Sequence, residues 1–374
     1  MVLLHFWRNA YMNNLAENKI TAIAGTYEKG DCIFLLSDLT SIVTPVSSVE
    51  KKRRLASGAK SWEMIPYEHI PSESDNTLFL RLLQENKEAI ARYVGILCES
   101  ILAAKGEDIV LVSLARGGTP VGVLCRRYFQ RIHQLEVPHY CLSLIRNVGI
   151  DENALSYITD SHPSSKIQFL DGWTGMGLIS SELNKYVSGF NRRTGSRIDP
   201  SLAVLVDSSK ICQISGTRSD VILPSCCLNA TVCGMISSIY YNPNEVAKMQ
   251  YHGAIQWTDA SMIDYSRLFI EEIEPFFMSA TAAPQSVEGN YGLWCRDKIA
   301  SECNVSDKKR IRLGIGESTR AITRYHLSCL LIRNLSNPHL GFIMEMASAK
   351  SINTHEYKQT DYECVAIIAP DEVL

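Results

Sequence analysis

Apolar and amphipathic stretches alternate along most of this chain. From Asn76 to Lys105, TLFLRLLQENKEAIARYVGILCESILAAK repeats its apolar residues at helical spacing and predicts one long helix. Beyond it, DIVLVSLA (108–115) reads as a buried strand, VGVLCRRYFQRIH (121–133) as a helix and HYCLSLI (139–145) as a strand. ENALSYITD (152–160) reads as a helix and KIQFLD (166–171) as a strand; a helix then runs to about Phe190, before the strand LAVLVD (202–207). Strands that are apolar almost throughout, separated by helices, predict a parallel sheet covered on both faces. The first 75 residues are mixed, with a β-like DCIFLL and a basic KKRR at 51–54 expected to be solvated surface.

The stretch SATAAPQSVEGN (279–290) is small, polar and Pro/Gly-bearing, as a linker would be. A helix near 292–303, a glycine turn at 314–316, a second helix, the strand CLLIRNL, a helix near 340–350 and the strand CVAIIAP follow. The expected organisation is therefore a domain over 1–280, a linker at 281–291 and a smaller unit over 292–374. The fold class is α/β: a parallel-sheet, Rossmann-like domain plus a small C-terminal α/β sandwich.

Composition narrows the functional classes. Hydrophobic residues make up 46% and charged residues 21%, as in a soluble globular protein. A net charge of −3 gives no overall attraction to nucleic acid. The 12 cysteines include no C-x-x-C pair, and no H-E-x-x-H occurs, so neither a zinc ribbon nor a zincin is indicated. Reduced thiols in a cytoplasm are expected. The start, MVLLHFWRNAYMNN, lacks a basic leader, and no run approaches the ~20 apolar residues of a membrane helix, so no membrane partner is expected.

Candidate chemistry gathers at the ends of two strands. In FLDGWTGMG, Asp171 precedes Gly172, Trp173, Thr174, Gly175, Met176 and Gly177. Glycines allow a tight turn with exposed N–H groups, the following helix turns its N-terminus to the same point, and Thr174 adds a hydroxyl: an anion cradle. Asp171 would hold ribose hydroxyls or the shell of a Mg2+ ion. In SLARGGTPVG, Ala115, Arg116, Gly117, Gly118 and Thr119 end another strand, and the guanidinium suits a diphosphate. A plain strand-to-helix turn and a salt-bridged turn arginine are the structural alternatives.

The order SLARGGTPVG…SLIRNVGIDENALSYI…IQFLDGWTGMG resembles one branch of the phosphoribosyltransferase superfamily, over roughly Asp31 to Leu374. That branch is associated with tellurium-resistance and stress operons, carries a C-terminal Pelota-type RNA-binding domain and is also labelled the StiP cysteine protease family. The resemblance implies a phosphoribosyl 1-diphosphate or nucleotide-like substrate carried with Mg2+. Asp171, Arg116 and Arg146 would be catalytic, with Asp171 near the metal, and the two loops together with Asp151 and Asp207 would bind substrate. Asp151 could equally cap the next helix, and Asp207 could be a turn residue. The chain departs from the family pattern in several places. Gly172 stands where common phosphoribosyl loops carry a second acid. AKSWEMIPYE keeps Glu63, Met64, Pro66 and Glu68 but has Lys60 in place of a basic–histidine run, and Ser237, Ser238 and Ile239 stand where family members resemble SRT, without its arginine.

The tract 308–333 has seven basic residues and one acid. Its Gly314, Gly316, Glu317 and Arg320 resemble the Gly-x-Asn-Glu-x-x-Lys motif of kink-turn-binding proteins without the asparagine. With Arg324 on the same helix face, they imply contact with structured RNA. Two alternatives remain: a catalytically weak nucleotide-sensing RNA binder, and a cysteine protease with Cys227 as nucleophile, His252 as base and Asp264 or Asn229 as orienting group. The acceptor is unspecified, and a homo-oligomer is left open.

Overall fold

The computed structural model describes residues 22–243, 249–283, 289 and 291–370. The stretch 1–14, read above for a leader, and most of the 281–291 linker lie outside them. The larger sheet has six strands: β1 (Ile33–Phe34), β2 (Val110–Leu114), β3 (His139–Leu142), β4 (Ile167–Thr174), β5 (Leu202–Asp207) and β6 (Ile214–Thr217). They lie in the order β1-β3-β2-β4-β5-β6, and every pairing is parallel. The apolar strand runs thus form the central sheet that their sequence predicts.

The helices are α1 (Ser48–Ala56), α2 (Glu73–Lys105), α3 (Thr119–Tyr128), α4 (Glu152–Ser161), α5 (Leu178–Thr194) and α6 (Ser266–Ile273). Helix α1 carries KKRR and buries no residue; Arg53 and Arg54 pair with Glu50 on its surface. Helix α2 starts at a Ser72–Asp75 capping box and ends at Gly106, whose φ is 73°. On one sheet face α2, α3 and α6 close a core containing Phe79, Val94, Tyr128 and Phe269; α4 and α5 close the other with Leu155, Ile158, Leu183 and Phe190.

The smaller sheet holds β7 (Ile311–Leu313), β8 (Leu327–Ile332), β9 (Thr354–Glu356) and β10 (Cys364–Ile368) in the order β7-β10-β8-β9. Only β8 and β9 are parallel. Helices α7 (Tyr291–Glu302), α8 (Ile315–Arg324) and α9 (Gly341–Ala349) cover it. Strands β7 and β9 fell in stretches too short and polar to read from periodicity.

The two sheet systems share one core. Leu82, Ile222 and Cys226 cluster with Ile315, Ile322, Leu330 and Phe342. Across this seam Arg81 pairs with Glu345 at 2.7 Å and Lys210 with Asp361 at 2.9 Å. A Cβ added at Gly292 would lie 2.9 Å from the Gly175 carbonyl oxygen and 3.0 Å from Met176 Cα, so only glycine lets α7 approach that backbone. Gly292→Ala therefore forces the seam apart and destabilises the chain by about 1–3 kcal/mol. Urea denaturation of the full chain checks this; an unchanged midpoint would show that the seam has slack.

Candidate functional site

The two glycine-bearing segments end β2 and β4, which are hydrogen-bonded neighbours, and the chain crosses from one side of β2 to the other between them. This is the switch-point position at which open parallel sheets place ligands. The segments do meet: the Gly117 carbonyl oxygen is 3.3 Å from where a Gly172 Cβ would sit.

Neither segment forms the expected cradle. Strand β4 does not stop at Asp171 but runs to Thr174, in register with β5: Asp171 opposite Val204, Trp173 opposite Val206 and Thr174 opposite Asp207. The Gly177 amide donates to Thr174 Oγ1, and Thr174 Oγ1 lies 3.1 Å from Ser209 Oγ. The rest of the turn lies under the smaller unit. Tyr362 donates to the Gly175 carbonyl at 2.7 Å, a Gly175 Cβ would be 3.0 Å from the Leu313 carbonyl, and Met176 packs into the core around Cys295 and Ile299. Trp173 donates to Glu317 at 3.1 Å, and Arg320 stacks 5.5 Å from its ring. The cavity lined by Trp173, Ser208, Asp220 and Glu317 measures only about 10 Å³.

Arg116 is equally engaged. Its guanidinium makes a bidentate pair with Glu68 at 2.7 and 3.0 Å and donates to the Ile236 carbonyl at 2.7 Å. Asp171 accepts the Gly172 amide at 2.8 Å, and burial raises its carboxyl to about 7. Gly118 is where the backbone needs glycine: a Cβ there would be 2.6 Å from the Leu170 carbonyl oxygen. Ala115 packs against the core, and Thr119 is fully buried, 3.3 Å from Cys141 Sγ. Arg146 lies exposed in the hairpin between Leu144–Ile145 and Gly149–Ile150. Asp151 caps α4 through the Ala154 amide and also accepts the His252 amide. Asp207, with no exposed surface, accepts from Ser209, Ile211, Cys212 and Arg218. These last two acids hold turns. The residues present do not fit the Mg2+ that the resemblance implies: Asp171 has no second acid beside it on the strand, and no cluster of three metal-ligating side chains forms among the described residues.

In the smaller unit, Gly314, Gly316 and Glu317 face the seam rather than solvent. A Cβ on Gly314 would lie 3.0 Å from Asp220 Oδ1, and one on Gly316 would lie 3.5 Å from the Trp173 ring. Asp220 accepts the Ile315 and Glu363 amides, a cap on α8 provided from across the seam. Arg324 lies at the exposed rim, where it donates to Asn229; desolvation, then Arg320 and Arg116, lowers its guanidinium to about 10.

Cys227 follows the turn Pro224–Cys226 and packs beside Leu78 and Leu82, half-buried. A hydrogen bond with Cys226 and burial raise its thiol well above the ordinary value. The structure does not bring His252 to it. His252 Nδ1 is 2.5 Å from Ser143 Oγ, and its ring meets the edge of Tyr241 at 4.9 Å. Asp264 accepts the Ser266 amide, and Asn229 is bonded to Arg324. Among the described residues no cysteine sulfur is hydrogen-bonded to a histidine ring. Reading the sequence missed two partners, Glu68 for Arg116 and Asp220 for α8. Glu68 stood in the quoted EMIPYE run, but nothing in its spacing tied it to an arginine 48 residues on.

Fold and seam together define a two-unit α/β protein: a larger parallel-sheet unit whose strand-end turns dock a small mixed-sheet unit. The family model described as tellurite-like stress resistance cysteine protease StiP matches residues 25–274, more than half of the chain, and the chain belongs to that family. A PELOTA RNA binding domain matches residues 293–370. The chain is similar to a protein named cysteine protease StiP from Acinetobacter baylyi (strain ATCC 33305 / BD413 / ADP1), at 29% identity over 328 residues, covering 83% of this chain and 84% of the relative. Among solved structures, an aminotransferase from Anaerococcus prevotii DSM 20548 aligns at 13% identity over 84% of this chain and 76% of that one, with a TM-score of 0.23, too low to bear on fold or function. These findings overturn phosphoribosyl transfer and phosphoribosyl-diphosphate binding as the main expectation: family and relative are named as cysteine proteases. The covered turn and the paired Arg116 give the physical reason. No described helix is long and apolar enough to cross a membrane.

Proposed function

We propose that this chain is a thiol-dependent peptide hydrolase of stress physiology whose C-terminal unit holds RNA. The observation that carries the reading is the family match over residues 25–274. Cys227 fits the role of nucleophile by position. It is half-buried rather than fully buried, sits on a turn at the seam, and lies two residues from Asn229 at the exposed Arg324 rim. Its sulfur attacks a peptide carbonyl, the bond to the leaving amine breaks with proton transfer to that amine, and water hydrolyses the thioester. In the present conformation the thiol is protonated and no imidazole is bonded to it, so the hydrolytic form requires a base to approach. For the RNA reading, Arg320 and Arg324 support phosphate contact, since neither has a carboxylate partner among the described residues.

The test is hydrolysis of fluorescently labelled casein by the full chain, with and without added structured RNA. Cys227→Ala is expected to lower the rate by about a hundredfold or more, while Cys303→Ala, in the smaller unit, leaves it unchanged. Full activity in Cys227→Ala, or no cleavage by the native chain under either condition, would overturn the reading.

A further inference from the structure

Beyond the seam, the larger unit has a cleft of about 510 Å³, inside the ~300–1,000 Å³ range typical of ligand sites. Its lining includes Tyr186, Tyr241, Met249, Gln250, His252 and Arg193. No role assigned so far uses this space.

His252 is held there with unusual completeness. Its amide donates to Asp151 Oδ2, its carbonyl accepts the Ser37 amide, and its Nδ1 meets Ser143 Oγ. Ser143 has no exposed surface, and His252 Nδ1 is its one side-chain partner among the described residues. A buried hydroxyl needs an acceptor, so Ser143 donates into Nδ1 and the ring hydrogen of the neutral imidazole sits on Nε2. Burial, acting against the nearby Asp151 charge, lowers the imidazole's pKa and keeps that neutral form. Nε2–H has no described partner and is the polar group the ring has left for the cleft.

Gln250, also in the wall, is turned inward: its Nε2 donates to Tyr251 Oη at 3.0 Å and its Oε1 is buried. The rim guanidinium of Arg193, the one arginine or lysine among the described lining residues, is ion-paired with Glu152. The cleft thus sets the His252 donor beside tyrosine rings and a thioether. That combination matches a neutral amide next to an aromatic group.

We propose that this cleft binds an aromatic residue of a peptide, its side chain against Tyr241, Tyr186 and Met249 and its carbonyl on His252 Nε2. The proposal goes beyond the hydrolase reading and does not depend on it, since Cys227 lies elsewhere.

The test titrates the full chain with N-acetylphenylalanine amide and N-acetylalanine amide, followed by NMR of the histidine ring nitrogens. The phenylalanine amide is expected to bind about tenfold more tightly than the alanine amide and to shift His252 Nε2. His252→Ala weakens it about tenfold, while His252→Gln, which restores a donor near Nε2, recovers most of the binding. Tyr241→Leu, a milder change should His252→Ala fail to fold, removes the preference for phenylalanine. Cys227→Ala leaves binding unchanged, which separates this site from hydrolysis. Equal binding of the two amides, unaltered binding in His252→Ala, or stronger binding of uridine 5′-monophosphate would each overturn the proposal.

Discussion

Glu68→Ala destabilises the chain by about 3–5 kcal/mol, the cost of leaving a buried guanidinium without its partner. The side chains of Arg116 and Glu68 are only 19% and 9% exposed, and their contact is bidentate. Removing Glu68 leaves Arg116 with the Ile236 carbonyl as its one described acceptor. The same pair fixes the segment after β2 against the core that holds Cys233 and Ile236. Arg116→Met, which removes the charge and keeps the length, is expected to cost less when combined with Glu68→Ala than Glu68→Ala costs alone. Chemical denaturation of the single and double variants measures both. A Glu68→Ala loss below about 1 kcal/mol would mean that water already screens the pair.

The second large effect is the contribution of two buried acids, which falls as pH rises. Burial raises the carboxyls of Asp171 and Asp220 to about 7 each. Unfolded, an aspartate titrates near 3.9, so between about pH 4 and 7 the folded chain holds protons that the unfolded chain has released. These two groups favour the folded state fully below about pH 4, lose that contribution as pH rises through 7, and change little above it. Asp171 keeps some exposure, which reduces its share, and roughly 2 kcal/mol per group is the expected size. Asp171→Asn preserves the Gly172 amide's acceptor and cannot ionise. It should therefore remove the Asp171 share of that loss and raise stability at pH 8 relative to the native chain. Melting profiles from pH 4 to 8 check this; parallel profiles for the two proteins would exclude Asp171 as a source of the slope.

The same acid shows where reading the sequence went astray. Asp171 followed by glycines has the local composition of a phosphate loop, and periodicity ends the apolar run there. In the fold, DGWT continues as strand because β5 offers it a parallel partner through Asp207. The glycines serve close packing instead: Gly118 against the Leu170 carbonyl, and Gly175 against Leu313. Composition cannot distinguish a backbone bared for an anion from one bared for another backbone.

The acids at 151 and 207 hold turns, because a carboxylate next to free amides caps a turn regardless of any ligand. Cys227 and His252 illustrate the opposite limit. Their pairing was drawn from residue type alone, and packing sends one to the seam beside Leu82 and the other to Ser143. The cleft around His252 had no sequence signal at all, since its walls come from Tyr186, Tyr241 and Gln250, scattered over 65 positions.

The chain's own pattern determined the parallel sheet, its covering helices and the smaller α/β unit, because apolar periodicity is a local property that burial enforces residue by residue. Only the tertiary structure decided that the glycine turns dock a domain, that Arg116 answers Glu68, and that His252 faces an open cleft. Each of these depends on which distant surfaces meet, and no local run of residues encodes that.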